Sequence, residues 1–401
     1  MEKPTQIRSR LPNAFIRFLI VQALFTAAIT ICNIFTNTFI LRVTGDSTGV
    51  KYYNMVLGGV QPFAMVVACY VAKRFSAECS QRIGLGCCAG MYLIMAVLAE
   101  DSIPYILYIG AMGAVAAGFY YTAYAVQLVE YLTDGTRDQA HGAMGIVTGI
   151  IFLGLPFLSA AIISAFGGFN GYRALFVLGF VISAAAIGFT FRLPTSSNNH
   201  KDEYLRVFRA VLAGRAERAA MLSSLLSGVY GGLLSFFLNV LLFSLISSEY
   251  LVSLNTSLGG ICSILGSFIY MRTICPSRRV KCMYISVSAL VLAASVLFFR
   301  LSAVTVIAFN LLYCLLNVFM SNPCVTAYLH VIERNPQLRN CSSEVHAVRE
   351  IYYGIGRVAG VALTLILPQT NSGSVLSIVV VLAFQFVAAH LVSVMGTADP
   401  S

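Results

Sequence analysis

Long apolar stretches alternate with short polar ones along the whole chain. The apolar stretches cover residues 14–41, 52–72, 83–99, 104–129, 142–166, 172–191, 219–246, 250–271, 281–299, 302–328, 346–367 and 374–395. A helix needs about 20 such residues to cross a hydrocarbon core about 30 Å thick, whereas barrel strands alternate in segments of about ten. The pattern therefore predicts an all-α polytopic membrane protein with about twelve transmembrane helices.

Composition excludes several other classes of protein. Of 401 residues, 58% are hydrophobic and 10% are charged, and the mean hydropathy is +0.82. A soluble domain carries about 25% charged residues, so an ordinary soluble protein is excluded. The eleven cysteines and five histidines show no metal-ligand spacing, and there is no P-loop or catalytic triad pattern. We expect no enzyme activity, no catalytic or metal site and no cofactor.

The basic residues predict the orientation in the membrane. Most of them lie before the first apolar stretch and in every second loop, whereas the opposite loops hold only Arg42, Lys51, Arg173 and Arg300. The positive-inside rule then places both termini in the cytoplasm of a multi-pass cell membrane protein. The net charge of +10 is spread over these loops, which predicts contact with anionic membrane lipids and no nucleic-acid partner.

A polar interval at 192–218 divides the spans six and six, so we predict halves at 1–191 and 219–401 joined by a central cytoplasmic loop. Within the loop, residues 203–213 have the spacing of a short amphipathic helix on the inner membrane surface, with a solvated linker as the alternative. A weak repeat aligns His141 with His346 and Gly149 with Gly354. Same-direction repeats of this kind build one class of secondary transporter.

Polar residues recur on one face of every third span. The first, fourth, seventh and tenth spans carry such stripes: Thr26, Thr30, Asn33 and Asn37; Tyr120, Tyr124, Gln127 and Tyr131; Ser224, Ser235 and Asn239; Asn310, Tyr313, Asn317 and Ser321. Polar side chains within a bilayer normally face the bundle interior. The stripes therefore predict a polar central pathway, although interhelical hydrogen bonding explains such residues equally well.

Twelve spans, a central loop, parallel halves and these stripes resemble the major facilitator superfamily. The resemblance implies that helices one, four, seven and ten line a cavity and that three, six, nine and twelve face outward. The loop VAKRFSAECSQRIG keeps the basic Lys73, Arg74 and Arg82 of the family's loop after helix two but lacks its Asp and Gly. The segments YYNMVLGGVQPF and HAVREIYYGIGR are similar to a group of little-characterised members from Gram-positive bacteria.

The eleventh span holds an unusual charge. His346, Glu350, Tyr353 and Arg357 share one face, and Arg357 lies roughly 16 Å deep, close to the midplane. A charge at this depth costs several kcal/mol without a partner or water. One interpretation is that Arg357 binds an anionic substrate group, with Glu350 as a proton-accepting or gating carboxylate. The alternative is an internal pair that only holds the helix in register.

We therefore predict a secondary transporter that moves a small organic solute by alternating access, as a monomer, with protons as a candidate coupling ion. The alternatives are a lipid or glycolipid flippase on the same fold and a non-transporting membrane sensor or scaffold. The predicted substrate contacts are Asn33, Asn37, Gln61, Tyr120, Tyr124, Gln127, Asn239, Asn310, Asn317, Tyr353 and Arg357. The predicted coupling or gating residues are Glu130, Arg137 and Glu350.

Overall fold

The structure, a computed structural model, describes residues 12–131, 134–195, 204–274, 278–339, 341–367 and 370–397, and within these ranges it has twelve long helices. In chain order they are α1 (Asn13–Thr44), α2 (Thr48–Arg74), α3 (Ala77–Leu98), α4 (Ile106–Tyr131), α5 (Asp134–Phe166), α6 (Gly168–Thr190), α7 (Arg215–Ile246), α8 (Glu249–Thr273), α9 (Arg279–Phe299), α10 (Ala303–Arg334), α11 (Ser342–Ile366) and α12 (Asn371–Thr397). The predicted all-α polytopic architecture is confirmed.

Ten stretches of the described chain are long and apolar enough to cross a membrane. One of them, Ala77–Leu128, contains α3 and most of α4, which are separated by a 3-10 helix at Ala99–Tyr105. Among the long helices described, α11 alone lies outside these stretches. It has 25 residues, but Arg349, Glu350 and Arg357 make it more polar than the others. The exceptional helix is therefore the one for which the sequence predicts a charged site.

Short-range chemistry sets the helix ends. The Ser76 side chain accepts a hydrogen bond from the backbone N–H of Cys79 at 3.1 Å and caps α3. Ser302 and Thr305 form a reciprocal capping box at the start of α10. Gly45 ends α1 with φ of +66°, a left-handed conformation that glycine adopts without steric cost. Sharp ends permit short connections, so that helices adjacent in sequence run antiparallel.

The same pairs of packed helices recur six helices apart. The contacts α1–α6, α2–α4, α3–α4 and α3–α6 correspond to α7–α12, α8–α10, α9–α10 and α9–α12. The two sets of six meet through α2–α11 and α5–α8, and through the last part of α1 against α7. This arrangement is the one expected for two similar halves, while the boundaries at 192 and 218 stay a prediction.

The helix bundle has two ends. The N-terminal end contains the start of α1, where Arg17 Nη1 donates to the carbonyl oxygen of Arg192 at 2.9 Å. The opposite end contains the junction of α1 and α2. A short surface helix, Tyr204–Ala213, lies at the N-terminal end and buries Val207 and Val211 in a cluster that also includes residues of α7 and α11. A helix thus forms where an amphipathic segment is predicted.

Candidate functional site

A cavity of about 240 Å³ lies among α1, α2, α4, α7 and α11. Its polar lining residues come from all five helices: Asn33, Asn37, Asn54, Gln61, Tyr121, Ser235, Tyr353 and Arg357. Aliphatic side chains, Phe236 and five small residues complete the wall. Half of the lining residues are polar and converge on one space, as expected of a site that orients a small molecule.

Arg357 is the charged residue of the cavity lining. Its Nη1 donates to Gln61 Oε1 at 2.7 Å, and its Nη2 donates to Glu350 Oε2 at 3.3 Å. The guanidinium carbon lies 4.8 Å from the centre of the Tyr353 ring, a cation–π distance. The side chain is 15% exposed, and its Nε is buried without a hydrogen-bond partner in the described structure. The predicted Glu350–Arg357 pair therefore coexists with a cavity-facing guanidinium.

Glycines bring α11 close enough for this arrangement. A methyl group at Gly58 of α2 would lie 2.9 Å from Arg357 Cβ, and one at Gly232 of α7 would lie 2.6 Å from Arg357 Cα. Larger residues at either position would push α11 outward. The backbone of Arg357 is thus held between the two sets of six helices.

An irregular turn of α1 lies on the side of the cavity that is lined by asparagine side chains. Residues Cys32–Thr36 make a π-helical turn, a feature frequent at functional sites. Asn37 Nδ2 donates to the carbonyl oxygen of Asn33 at 2.7 Å, and Asn37 Oδ1 accepts from Asn54 Nδ2 at 2.7 Å. The Asn33 side chain is exposed to the cavity, with no partner among the described side chains. One amide is fixed by protein groups, whereas its neighbour faces the cavity.

Five predicted substrate residues line the cavity: Asn33, Asn37, Gln61, Tyr353 and Arg357. The structure places the other six in packing contacts. On α4, Tyr120 stacks on Phe25 with ring centres 3.5 Å apart, and the Tyr124 hydroxyl contacts Met144 Sδ at 3.4 Å. Gln127 is fully buried, and its Nε2 donates to the Glu78 carboxylate at 3.1 Å and to the Gln81 amide oxygen at 3.2 Å.

The remaining predicted substrate residues, Asn239 of α7 and Asn310 and Asn317 of α10, form hydrogen bonds with other side chains of the protein. Asn255 of α8 joins both Asn239 and Asn310, at 3.1 Å and 3.0 Å. Asn317 Oδ1 accepts from the Tyr230 hydroxyl at 3.0 Å. Among the described residues, the cavity lining includes residues of α2 and α11 but none of α10, in contrast to the arrangement that the family resemblance implies.

The predicted gating residues lie nearer the N-terminal end. Glu350 bridges Arg357 and Arg349, with Arg349 Nη1 3.4 Å from Glu350 Oε1. Glu130 is exposed at the end of α4. The side chain of Arg137 falls outside the described part of the chain, so its prediction has no structural counterpart.

Asn54, Tyr121 and Ser235 line the cavity but are absent from the predicted set. Ser235 belongs to the polar stripe on α7 but not to the predicted substrate contacts. Tyr121 continues a row of small residues, Gly113 and Ala117, at a spacing of four on α4. This spacing is the feature of the sequence that could have identified Tyr121 as a cavity residue. Asn54 is identified by its contact with Asn37, which spacing along the chain does not reveal.

Twelve long helices in two similarly packed sets, with a polar cavity between them, define a membrane protein of the transporter type. The chain belongs to the Major Facilitator Superfamily, because the model of that family matches residues 18–361. It is therefore a multi-pass protein of a transporter family, and such proteins are normally not enzymes.

One relative and two solved structures are similar to this chain over most of its length. The chain is 23% identical over 349 residues to the protein YqgE of Bacillus subtilis (strain 168), covering 87% of this chain and 81% of the relative. Among solved structures, the nucleoside transporter NupG aligns with a TM-score of 0.69 and 16% identity, over 97% of this chain and all of that one. The D-xylose-proton symporter has the same TM-score at 12% identity, over 94% and 96% of the two chains. At these identities the two structures establish the fold alone.

Proposed function

We propose that the protein moves a small organic solute across the cell membrane by alternating access, with the cavity as its binding site and the N-terminal end in the cytoplasm. A cavity lined by helices of both halves supports this function, and because its lining residues all belong to one chain we propose a monomeric unit. Its volume of about 240 Å³ lies below the 300–1,000 Å³ typical of drug-sized ligands, which favours a small metabolite.

The observation that carries the proposal is the guanidinium of Arg357 on the cavity wall. It anchors an anionic group of the solute, since a guanidinium binds carboxylates through paired N–H donors. Asn33, Tyr121 and Ser235 bind the remaining polar part of the solute, and the Tyr353 ring packs against its body. The residues in packing contacts, such as Gln127 and Asn310, hold the helices around the site.

Ion pairs between the halves support gating at both ends. Arg42 of α1 pairs with Glu249 of α8 at the opposite end, and the Tyr172 hydroxyl donates to the same carboxylate at 3.0 Å. Lys73 of α2 pairs with Glu344 of α11 at the N-terminal end, at 2.7 Å. In alternating access, each pair opens when its own end of the cavity opens.

Glu350 is the proposed coupling carboxylate. Its Oε2 accepts a hydrogen bond from Arg357, so the Glu350 carboxylate competes with the solute anion for this guanidinium. Protonation of Glu350 would weaken that competition. Glu130 and Arg137, at the junction of α4 and α5, are proposed gate contacts on the cytoplasmic side. Proton coupling predicts that a pH gradient drives uptake of the solute into vesicles.

A lipid flippase is the second candidate on this fold, but the small cavity gives it no specific support. A sensor would bind a ligand without moving it. Binding and movement are therefore measured separately, first by a thermal-shift screen of metabolites, drugs and lipid headgroups on purified protein, and then by vesicle uptake.

The screen includes Arg357→Ala and Glu350→Gln. We expect a small organic anion to stabilise the native protein and not the Arg357 variant, and to accumulate in vesicles. Well-folded variants that respond like the native protein would exclude Arg357 as the anchor. Stabilisation without vesicle uptake would indicate a sensor.

A further inference from the structure

Two arginines on α11 have closely similar environments. Arg349 and Arg357 each donate to one oxygen of Glu350, at 3.4 Å and 3.3 Å. The Arg349 guanidinium lies 4.9 Å from the centre of the Tyr328 ring, as that of Arg357 lies 4.8 Å from the Tyr353 ring. Both Nε atoms are buried and lack a hydrogen-bond partner in the described structure. The anchor of the cavity thus has a counterpart one step closer to the N-terminal end.

The charges of this group do not balance. Two guanidinium groups share the single carboxylate of Glu350, and their side chains are only 15% to 20% exposed. The next carboxylate along α11, Glu344, is bound by Lys73 at 2.7 Å. Among the described side chains, the three-residue group therefore carries a net charge of +1 in a region where an unbalanced charge is costly. One additional monoanion would neutralise it.

We propose that Arg349 forms a second anion-binding position between the cavity and the N-terminal end, and that the solute is a small organic monocarboxylate. This inference rests on the proposed function, because the same solute occupies both positions. Eight residues separate the two arginines, which corresponds to about 12 Å along the helix. The second position therefore lies on the N-terminal side of the cavity, toward the proposed cytoplasmic end.

Glu350 connects the two positions. When the solute carboxylate binds Arg357, Glu350 stays with Arg349; when the solute moves to Arg349, Glu350 turns to Arg357. While Glu350 is ionised, each guanidinium keeps one carboxylate at every stage, so the group stays neutral during the transfer. A dianion would leave an excess negative charge, which is why a monocarboxylate is the expected class.

The test uses sodium benzoate as the probe and neutral benzamide as its matched control, both at constant ionic strength, on the full-length protein in nanodiscs. We expect benzoate to raise the melting temperature and benzamide to leave it unchanged. Arg349→Gln should weaken the apparent affinity for benzoate roughly tenfold, as expected for the loss of one charged hydrogen bond. Arg209→Gln, on the exposed surface helix, should change nothing.

A second background distinguishes binding by Arg349 from positioning of Glu350. Glu350→Gln releases both guanidinium groups and should strengthen benzoate binding. In that background Arg349→Gln should again weaken binding roughly tenfold. Unchanged affinity there would overturn the inference, since Arg349 would then act only through Glu350.

The remaining outcomes separate the two proposals. If Arg357→Gln abolishes the benzoate response and Arg349→Gln does not alter it, the central site stands and the second position falls. If neither variant alters it, both fall. Should Arg349→Gln fail to fold, Arg349→Lys keeps the charge but loses the planar fork, and an unweakened affinity for benzoate would contradict the proposal.

Discussion

Replacing Gly356 by Ala tests the close approach of α7 and α11, on which the position of Arg357 depends. A Cβ at this position would lie 2.0 Å from the carbonyl oxygen of Leu225 and 2.9 Å from the backbone nitrogen of Val229. Both atoms belong to the α7 backbone, so no side-chain rotation relieves the contact. Reaching an ordinary distance of 3.4 Å to the oxygen requires the helices to separate locally by about 1.4 Å.

This displacement sets the expected magnitude. Overpacking a tight interface typically costs 1–3 kcal/mol, and a clash with backbone favours the upper end, so we expect about 3 kcal/mol. The helix propensity of Ala offsets at most about 1 kcal/mol of this cost. Gly260→Ala on α8 is the matched control, because nothing lies within 4 Å of its added Cβ. It should leave the melting temperature unchanged or slightly higher.

Buried thiols provide the assay. The protein has no tryptophan, but Cys32, Cys88 and Cys324 are free and buried, so a thiol-reactive dye becomes fluorescent as the bundle unfolds. Gly356→Ala should melt several degrees below the native protein and bind the solute more weakly, because Arg357 moves away from Gln61. Equal melting temperatures for the two alanine variants would refute the proposed α7–α11 packing.

Three further predictions concern the gates and the amides. Arg42→Gln should raise the labelling rate of a cysteine introduced at Ser235 roughly threefold to tenfold for a membrane-impermeant reagent added at the opposite end, as the loss of about 1 kcal/mol of gate stability implies. Lys73→Gln should give the same increase for reagent added at the N-terminal end, and an increase at the wrong end would contradict the gate assignment. Asn310→Ala should lower the melting temperature, because it removes an interhelical hydrogen bond worth about 1 kcal/mol, and should leave solute affinity unchanged. Asn33→Ala should weaken solute affinity and leave the melting temperature unchanged. A weaker affinity for the Asn310 variant would return that residue to the binding site.

The apolar pattern is sufficient to predict the helices, because the membrane demands long apolar stretches with internal hydrogen bonding. It does not identify which face of a helix reaches the cavity. Tyr120 and Tyr121 are adjacent and point about 100° apart. Where α4 crosses α1, the Tyr120 ring stacks on Phe25, whereas Tyr121 lines the cavity. Such crossings depend on tertiary packing and have no signature at a single position.

Regular spacing also fails where the helix is irregular. The prediction for Asn33 and Asn37 assumes an uninterrupted α-helix, but the π-turn at Cys32–Thr36 gives the two amides different roles. Arg357 is easier to identify, because a charged residue in the middle of an apolar stretch is unusual whatever its neighbours in the fold are. A charged residue within a span can therefore be singled out from the sequence, whereas the role of a common polar residue such as asparagine can be assigned only from the fold.

The seam between α2 and α11 explains why the charge lies where it does. The helices are antiparallel, and polar contacts join them near both ends: Lys51 Nζ donates to the Thr364 carbonyl oxygen at 3.2 Å, and Lys73 pairs with Glu344. Between these contacts, a methyl group at Gly354 would lie 2.2 Å from Pro62 Cγ, so the helices touch most closely near the middle. When two halves rock about such a seam, contacts at its ends change most and contacts at its middle change least. Arg357, bonded to Gln61 in this middle region, would therefore move little, and the proposed anion anchor would stay in place while the ends of the seam open in turn.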